Sequence, residues 1–407
     1  MGKKKRAEQR RRVSGAVLAA VLAPVCIPIV IAARILRPLQ LVRFSKVGYR
    51  AEKIGHFAFD VALAYAEERE RRTQGVRQTD LYYVEGRPGR PRINEAWLLV
   101  ARSHLRVYRF VKYLARWNDL IPGGGIHARP ENPFLLDRAG IIAKYPLRLP
   151  PSIDRSAVTW MKSLGWNEGE PFVCLHVRDN AFHGNDPNGA AAERSNDIER
   201  FSLLIQTLTD HGVWVFRTGR VAERRSPVST LRFVDYASHK DRSDELDVWL
   251  FANATLTVST GSGPDMISSV FGRPALFVDV LGMDFSYWAN IELLPRRYLW
   301  RHSRRDLTFA EWVDIAGRAN RQPASAAVEV VYRTADEISS AVQLRLERLV
   351  AATDSSGWEQ QREDFLTALR STAWFLEDYP YVSPDCGPSP VWMAPACDAD
   401  RPQEASP

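Results

Sequence analysis

Cysteine is scarce: the 407 residues hold four. Cys26 lies in an apolar run, Cys174 lies in a strand-like segment, and Cys386 and Cys397 are the one conceivable pair. With no C-x-x-C either, the sequence offers neither a disulfide framework nor a structural zinc site. Excess charge is equally absent from most of the chain. The net charge is +7, but Lys3, Lys4, Lys5, Arg6, Arg10, Arg11 and Arg12, set against Glu8, supply six of those charges within residues 1–12. A nucleic-acid binder carries its positive charge on the folded domain, so no nucleic-acid partner is expected. The phosphate-binding fingerprints G-x-x-x-x-G-K-S/T and G-x-G-x-x-G are missing as well.

What the sequence does have begins with an apolar run. Val13 to Ala33 contains no charged residue over 21 positions, and roughly 20 apolar residues are enough to span a bilayer. A secretory signal has a shorter apolar core and a small-residue cleavage site, which favours a membrane anchor over residues 13–35. A buried helix of a soluble domain is the competing reading. Pro24 and Pro28 bend the segment, and Arg34, Arg37, Arg43 and Lys46 make its far side basic like its near side. Positive charge on both flanks predicts a re-entrant or surface-lying anchor contacting membrane lipid, with the following domains cytoplasmic; a straight span is the alternative.

Beyond the anchor, composition and patterning predict an α/β protein of two domains, 46–150 and 151–349. A carboxyl-terminal helix follows over 350–378, then a Pro-, Asp- and Ser-rich tail over 379–407 without expected order. In the first domain, Gly55-His56 reads as a short strand or turn ahead of a helix through Glu68. Leu81–Val84 reads as a strand, Asn94–Trp117 as one long helix, and Ile141–Lys144 as a strand. In the second, short apolar runs alternate with helical patterns: Phe172–His176, Val213–Phe216, Arg232–Tyr236, Thr255–Val258 and Pro274–Val278. That alternation predicts parallel β-α units in an open sheet. Ser303–Ala319, Thr334–Leu349 and Trp358–Glu377 read as helices.

The polar residues cluster where such sheets hold ligands, beyond the carboxyl ends of the strands. His176, Arg178 and Asp179 close one strand. Arg194 and Asp197 precede a helix, with Asn196 or Asp197 as its cap. Arg217 and Gly219 follow the next strand, then Asp235 and Tyr236. Thr260, Gly261, Ser262 and Gly263 form a glycine-rich exit into a helix. Each has an ordinary structural reading as a paired, capping or turn residue; their shared end of one sheet argues for an anion site of phosphate type. In that reading the amides of residues 260–263 bind a pyrophosphate oxygen, Arg178 and Arg217 neutralise a diphosphate, His176 either donates to the same phosphate or orients the acceptor, and Asp235-Tyr236 touches a base or ribose. No metal and no separate cofactor is required.

In their order, His176-Val-Arg-Asp179, Arg194-Ser-Asn-Asp-Ile198, Arg217-Thr-Gly219, Asp235-Tyr-Ala-Ser238, Asp244 to Asp247 and Thr260-Gly-Ser-Gly263 resemble a family of bacterial glycosyltransferases of surface-polysaccharide biosynthesis. Ile54-Gly-His-Phe-Ala58 is similar to that family's amino-terminal element, and the His-x-Arg strand end is similar to that of fucosyltransferases. The resemblance covers about residues 46–300. It departs at Thr218, where Met is expected, and at Gly261, where Ser is usual. It implies a GT-B fold, two Rossmann-like domains facing a cleft, with a nucleotide-diphosphate sugar held by the second and a glycan or lipid-linked acceptor on the first. Asp398-Ala-Asp400 matches a metal-binding D-x-D but falls in the tail and is taken as chance. The catalytic base stays open among His56, Asp60 and Asp179. A nucleotide-sugar epimerase of the same fold and a membrane-bound glycan- or nucleotide-binding scaffold are the alternatives.

Overall fold

The structure is a computed structural model that describes residues 17–87, 90–131, 137, 140–179, 181, 195–220, 222–282, 289–315, 327–350, 356–372 and 383–393. The chain forms two compact units. The first takes Met1–Glu168, Asp241–Asn253 and Ser262–Arg273; the second takes Gly169–Lys240, Ala254–Gly261 and Pro274–Pro407.

In the first unit, strands β1 (Leu41–Lys46) and β2 (Gln78–Tyr83) pair in parallel from Leu41↔Gln78 to Lys46↔Tyr83. The helix Ile54–Thr73 connects them, starting directly at Ile54 with no strand before it, after Lys53 in an extended conformation. Its Phe-Ala-Phe-Asp-Val-Ala-Leu-Ala run is buried throughout, as expected for a helix that is apolar on more than one face. β1 was not anticipated: its Arg43 reads as an anchor flank, but it forms a two-pronged ion pair with Asp80 of β2, a carboxylate that Arg71 also contacts. The expected long helix is two. Glu95–His104 is capped by Asn94, whose Oδ1 accepts from Trp97 N at 2.7 Å. Leu105 turns extended, Val107 bridges to Tyr82, and a second helix runs Val111–Leu120. Ile142–Lys144 is a 3-10 turn rather than a strand.

The apolar amino-terminal run is helical from residue 17, broken by a turn at Leu22, and resumes as Ala23–Ile35 with Pro24 in its first turn. Proline is tolerated there because the amide it lacks has no intrahelical acceptor. Cys26, Val30 and Ala33 pack on Val111, Leu114 and Ala115 and on Phe44 of β1. No helix among the described residues is long and apolar enough to cross a membrane. Arg34, expected in the basic flank, donates to the carbonyls of Asn118, Ile121 and Pro122 at 2.8, 2.9 and 2.7 Å.

The second unit is built on a seven-stranded sheet of order β11-β8-β7-β6-β3-β4-β5. Its strands are β3 (Phe172–His176), β4 (Trp214–Arg217), β5 (Phe233–Val234), β6 (Leu256–Ser259), β7 (Ala275–Val280), β8 (Ile291–Pro295) and β11 (Gly387–Pro388). Every pairing in it is parallel. Strands covered on both faces read as unbroken apolar runs, which is the pattern of Phe172-Val-Cys-Leu175 and Ala275–Val278. Val173, Leu175, Val258 and Leu276 meet Leu204, Ile205 and Leu208 of the helix Ser202–Asp210, and Ile338 and Val342 of the helix Ala335–Val350. A separate antiparallel pair joins β9 (Arg297–Trp300) to β10 (Val328–Val331). Of the helix expected over 303–319, only Phe309–Ile315 is helical among the described residues; 303–308 are not, and Asp306 bridges to Leu299 of β9. Part of the supposed tail is ordered. β11 pairs with β8, Cys386 is fully buried, and Trp392 packs against Phe309, Trp312 and Phe365. Apolar contact with that aromatic cluster outweighs the proline-rich composition. The rest of 379–407 lies outside the described residues.

Candidate functional site

Strand order locates the site. From β3 the sheet grows one way through β4 and β5, and from β6 the other way through β7 and β8. β3 and β6 are neighbours, paired from Val173↔Leu256 to His176↔Ser259. Connections leaving two adjacent parallel strands in opposite directions open a crevice at their carboxyl ends, where ligands bind in open α/β sheets. His176, Arg178, Thr260 and Gly261 all stand at that switch point.

The loops there are tied to one another. Thr260 N donates to His176 O at 3.1 Å, and Arg178 N donates to Thr260 Oγ1 at 2.9 Å. His176 Nδ1 lies 3.2 Å from both the carbonyl and the hydroxyl of Thr218. A carbonyl only accepts, so Nδ1 carries the proton. The imidazole is buried, and burial, ahead of the nearby Arg178 and Arg217 charges, pulls its pKa down to about 4. A neutral His176 fixes the β3 and β4 exits to each other; it brings no positive charge to an anion. Thr218, one of the two positions that depart from the glycosyltransferase pattern the sequence resembles, completes this arrangement.

Several expected ligand groups are already engaged. Arg217 is 3 % exposed and pairs with Asp235 at 3.2 Å, with Asp179 at 4.0 Å on its other side. Asp235 also accepts from Ser226 N at 3.0 Å. Asp179 accepts from Ala181 N at 3.1 Å and Glu223 N at 2.7 Å, which makes it a loop organiser. Tyr236 is fully buried and presents no face to a base. Asp197 caps the turn Ile198–Phe201 through Glu199 N at 3.0 Å. Gly219 has φ +158° and Gly261 φ +85°. The latter value is strained for any residue with a side chain and accounts for glycine where the family has serine. Arg194 lies outside the described residues.

Three of the four amides of the glycine-rich exit, those of Thr260, Gly261 and Ser262, are also committed. Besides Thr260 N, Gly261 N donates to Ser259 Oγ at 3.1 Å and Ser262 N to Asp265 Oδ2 at 2.5 Å. Ser262 and Asp265 form a reciprocal capping box, which satisfies the very donors an anion would take. Arg178, two residues beyond the end of β3, brings a guanidinium to the switch point.

Sequence reasoning passed over Asp279, at the carboxyl end of β7. It is buried and adopts φ +54°. Its carboxylate accepts from Asn196 Nδ2 at 3.0 Å, Arg200 Nη1 at 2.7 Å and Arg333 N at 2.8 Å. Arg200 and Arg296 both lie over the Tyr332 ring, 4.2 and 4.0 Å from its centroid. A charged residue directly after the apolar run of β7 was the available signal.

The three candidate bases belong to different surroundings. Asp60 is buried in the first unit, 2.6 Å from Arg129 Nη1, and accepts from Gly48 N at 2.7 Å and Tyr49 N at 3.2 Å. Burial alone would lower the Arg129 pKa, but Asp60 and Glu67 outweigh it and hold the guanidinium charged. That is a structural ion pair. Asp179 organises a loop of the second unit. His56, in the first turn of Ile54–Thr73, has a buried Nδ1 with no hydrogen-bond partner among the described residues. Burial first, then the Lys53 and Arg50 charges, lowers its pKa to about 4, so it too is neutral near pH 7.

No family model matches this sequence, and no curated protein matches it. Among solved structures, the chain is similar to the Escherichia coli ADP-heptose LPS heptosyltransferase II, at 13% identity and TM-score 0.38 over 62% of this chain and 90% of that one. It is similar to a glycosyl transferase family 9 protein from Veillonella parvula DSM 2008, at 11% identity and TM-score 0.39 over 63% and 86%. A third is the E. coli heptosyltransferase WaaC with ADP-2-deoxy-2-fluoro heptose, at 13% identity and TM-score 0.34 over 62% and 92%. Likenesses this distant establish neither a shared family nor a shared activity.

Proposed function

We propose that this chain is a glycosyltransferase of GT-B type that moves a sugar from a nucleotide-diphosphate donor to a glycan or lipid-linked acceptor in cell-surface polysaccharide biosynthesis. The observation that carries the reading is the placement of Arg178 at the β3/β6 switch point of an all-parallel sheet. Arg178 holds the donor diphosphate with its planar fork of donors, while His176, Thr218 and Thr260 fix the loops around it. His56 is the base: it is neutral, its Nδ1 has no described partner, and Asp60 and Asp179 are committed elsewhere. Arg178 offsets charge on the leaving diphosphate, and on this reading transfer needs no metal.

A thermal-shift panel of nucleoside diphosphates and nucleotide sugars tests the reading, because a ligand that binds only the folded state raises its melting temperature. At least one nucleoside diphosphate should stabilise the protein. No stabilisation across the panel contradicts the proposal. A donor identified this way should be turned over in the presence of a chelator; activity lost to the chelator and restored by a divalent metal defeats metal independence. His56→Ala should abolish transfer while leaving nucleotide binding unchanged.

A further inference from the structure

We infer that the amino-terminal helix is a monotopic membrane-docking face, lying flat on an anionic lipid surface without crossing it. The segment 17–35, helical apart from one turn residue at Leu22 across which Leu22 N and Cys26 N keep their four-residue bonds to Leu18 O and Leu22 O, carries one charged residue, Arg34. A helix that is apolar all round is normally buried all round. Here one stripe is buried, through Ala19, Cys26, Val30 and Ala33. The opposite side is open: Val21 is 67% exposed, Val25 60%, Ile29 42% and Ile35 72%. Val21, Val25 and Ile29 follow one another at four-residue spacing and so form a single line along the helix. Among the described residues of the first unit, nothing covers it.

The helix is also tied down at both ends. Trp117 Nε1 donates to Ala19 O at 3.1 Å near its start. Near its end Arg34 holds three carbonyls around Asn118–Pro122. Inserting it across a bilayer would break both attachments; laying its open side into the headgroup boundary breaks neither. Arg34 thus acts inward as a clamp, which leaves the outer face uncharged.

Charge selects the occupant. Residues 1–12, directly ahead of the helix, carry seven basic residues and one acidic. A second copy of the chain would cover the apolar line but bring a second tail of the same sign close to the first. An anionic bilayer offers apolar contact and opposite charge together, the two signals that stable surface binding needs. This inference stands whether or not the chain transfers a sugar.

Flotation of the full-length protein with phosphatidylcholine vesicles, with and without phosphatidylglycerol, tests it. Binding should require the anionic lipid and weaken with salt, since screening shortens the reach of the tail's charge. The double variant Val25→Asp, Ile29→Asp should reduce bound protein by roughly tenfold or more with an unchanged circular-dichroism spectrum. A second measurement keeps the native face: Val21→Cys in a Cys397→Ser background carries an environment-sensitive fluorophore, because Cys26, Cys174 and Cys386 are buried, and its emission should rise on anionic vesicles. No flotation, undiminished flotation of the aspartate variant, or an unresponsive fluorophore overturns the inference. So does a dimer in solution that the aspartate variant dissolves.

Discussion

Gly55 and Gly263 meet backbone to backbone within the first unit: a Cβ on Gly55 would fall 2.7 Å from both the Cα and the carbonyl oxygen of Gly263. Gly55 belongs to the Ile54-Gly-His element and Gly263 to the Thr260-Gly-Ser-Gly exit, motifs separated by about two hundred residues in sequence. The contact explains glycine at position 55, whose backbone has no room for a side chain; a Cβ on Gly263 would lie 3.3 Å from Gly55 N, tight but not excluded.

Gly55→Ala should therefore destabilise the protein by about 1–3 kcal/mol, the usual cost of forcing a methyl into filled space. Gly125→Ala, where an added Cβ meets nothing within 4 Å, should stay within about 0.5 kcal/mol of wild type. Urea denaturation of the two variants checks this. Equal stabilities would mean the close approach is absent in solution.

Asp60 separates a structural from a catalytic role. Removing it leaves Arg129, 4 % exposed, without its closest counter-charge. Asp60→Ala should cost about 3–5 kcal/mol, the penalty of stranding a buried charge. A variant that keeps full stability and loses only turnover would instead restore Asp60 as a base.

His176 gives the fold a pH dependence with a definite sign. Its folded pKa, about 4, lies below the usual 6.5, so the unfolded chain binds the proton more tightly. The stabilisation is complete above pH 6.5 and is lost as pH falls toward 4. At 1.4 kcal/mol per unit the full effect is about 3 kcal/mol. His176→Gln should flatten the stability profile between those limits, measured by denaturant titration at several pH values. A profile as steep as wild type would contradict the assignment.

The parallel sheet was legible because doubly covered strands leave plain apolar runs, as at Phe172–Leu175 and Ala275–Val278. The gathering of polar residues at strand ends was legible from His176-Val-Arg178 and Ser259-Thr260, but the strand order that makes β3 and β6 a switch point was not. What the sequence hid was pairing. Arg217 and Asp235 lie 18 positions apart and Arg43 and Asp80 37, so neither pair shows in local patterning, and each arginine looks available until its carboxylate is found. β1 was masked by its apolar, basic neighbourhood. The break at Leu105–Phe110 was hidden because Val107, Phe110 and Val111 keep helical spacing across it. The ordered segment around Trp392 depends on aromatic contacts from distant helices, which composition cannot register.

The central claim is that Arg178 binds the donor diphosphate while Arg217 holds the fold. Isothermal titration of the nucleoside diphosphate that stabilises the wild-type protein most, into wild type, Arg178→Ala and Arg217→Ala, measures it directly. Arg178→Ala should remain folded and weaken binding by about 2–5 kcal/mol. Arg217→Ala strands Asp235 and should lower the melting temperature first. Wild-type affinity in a folded Arg178→Ala would contradict the account.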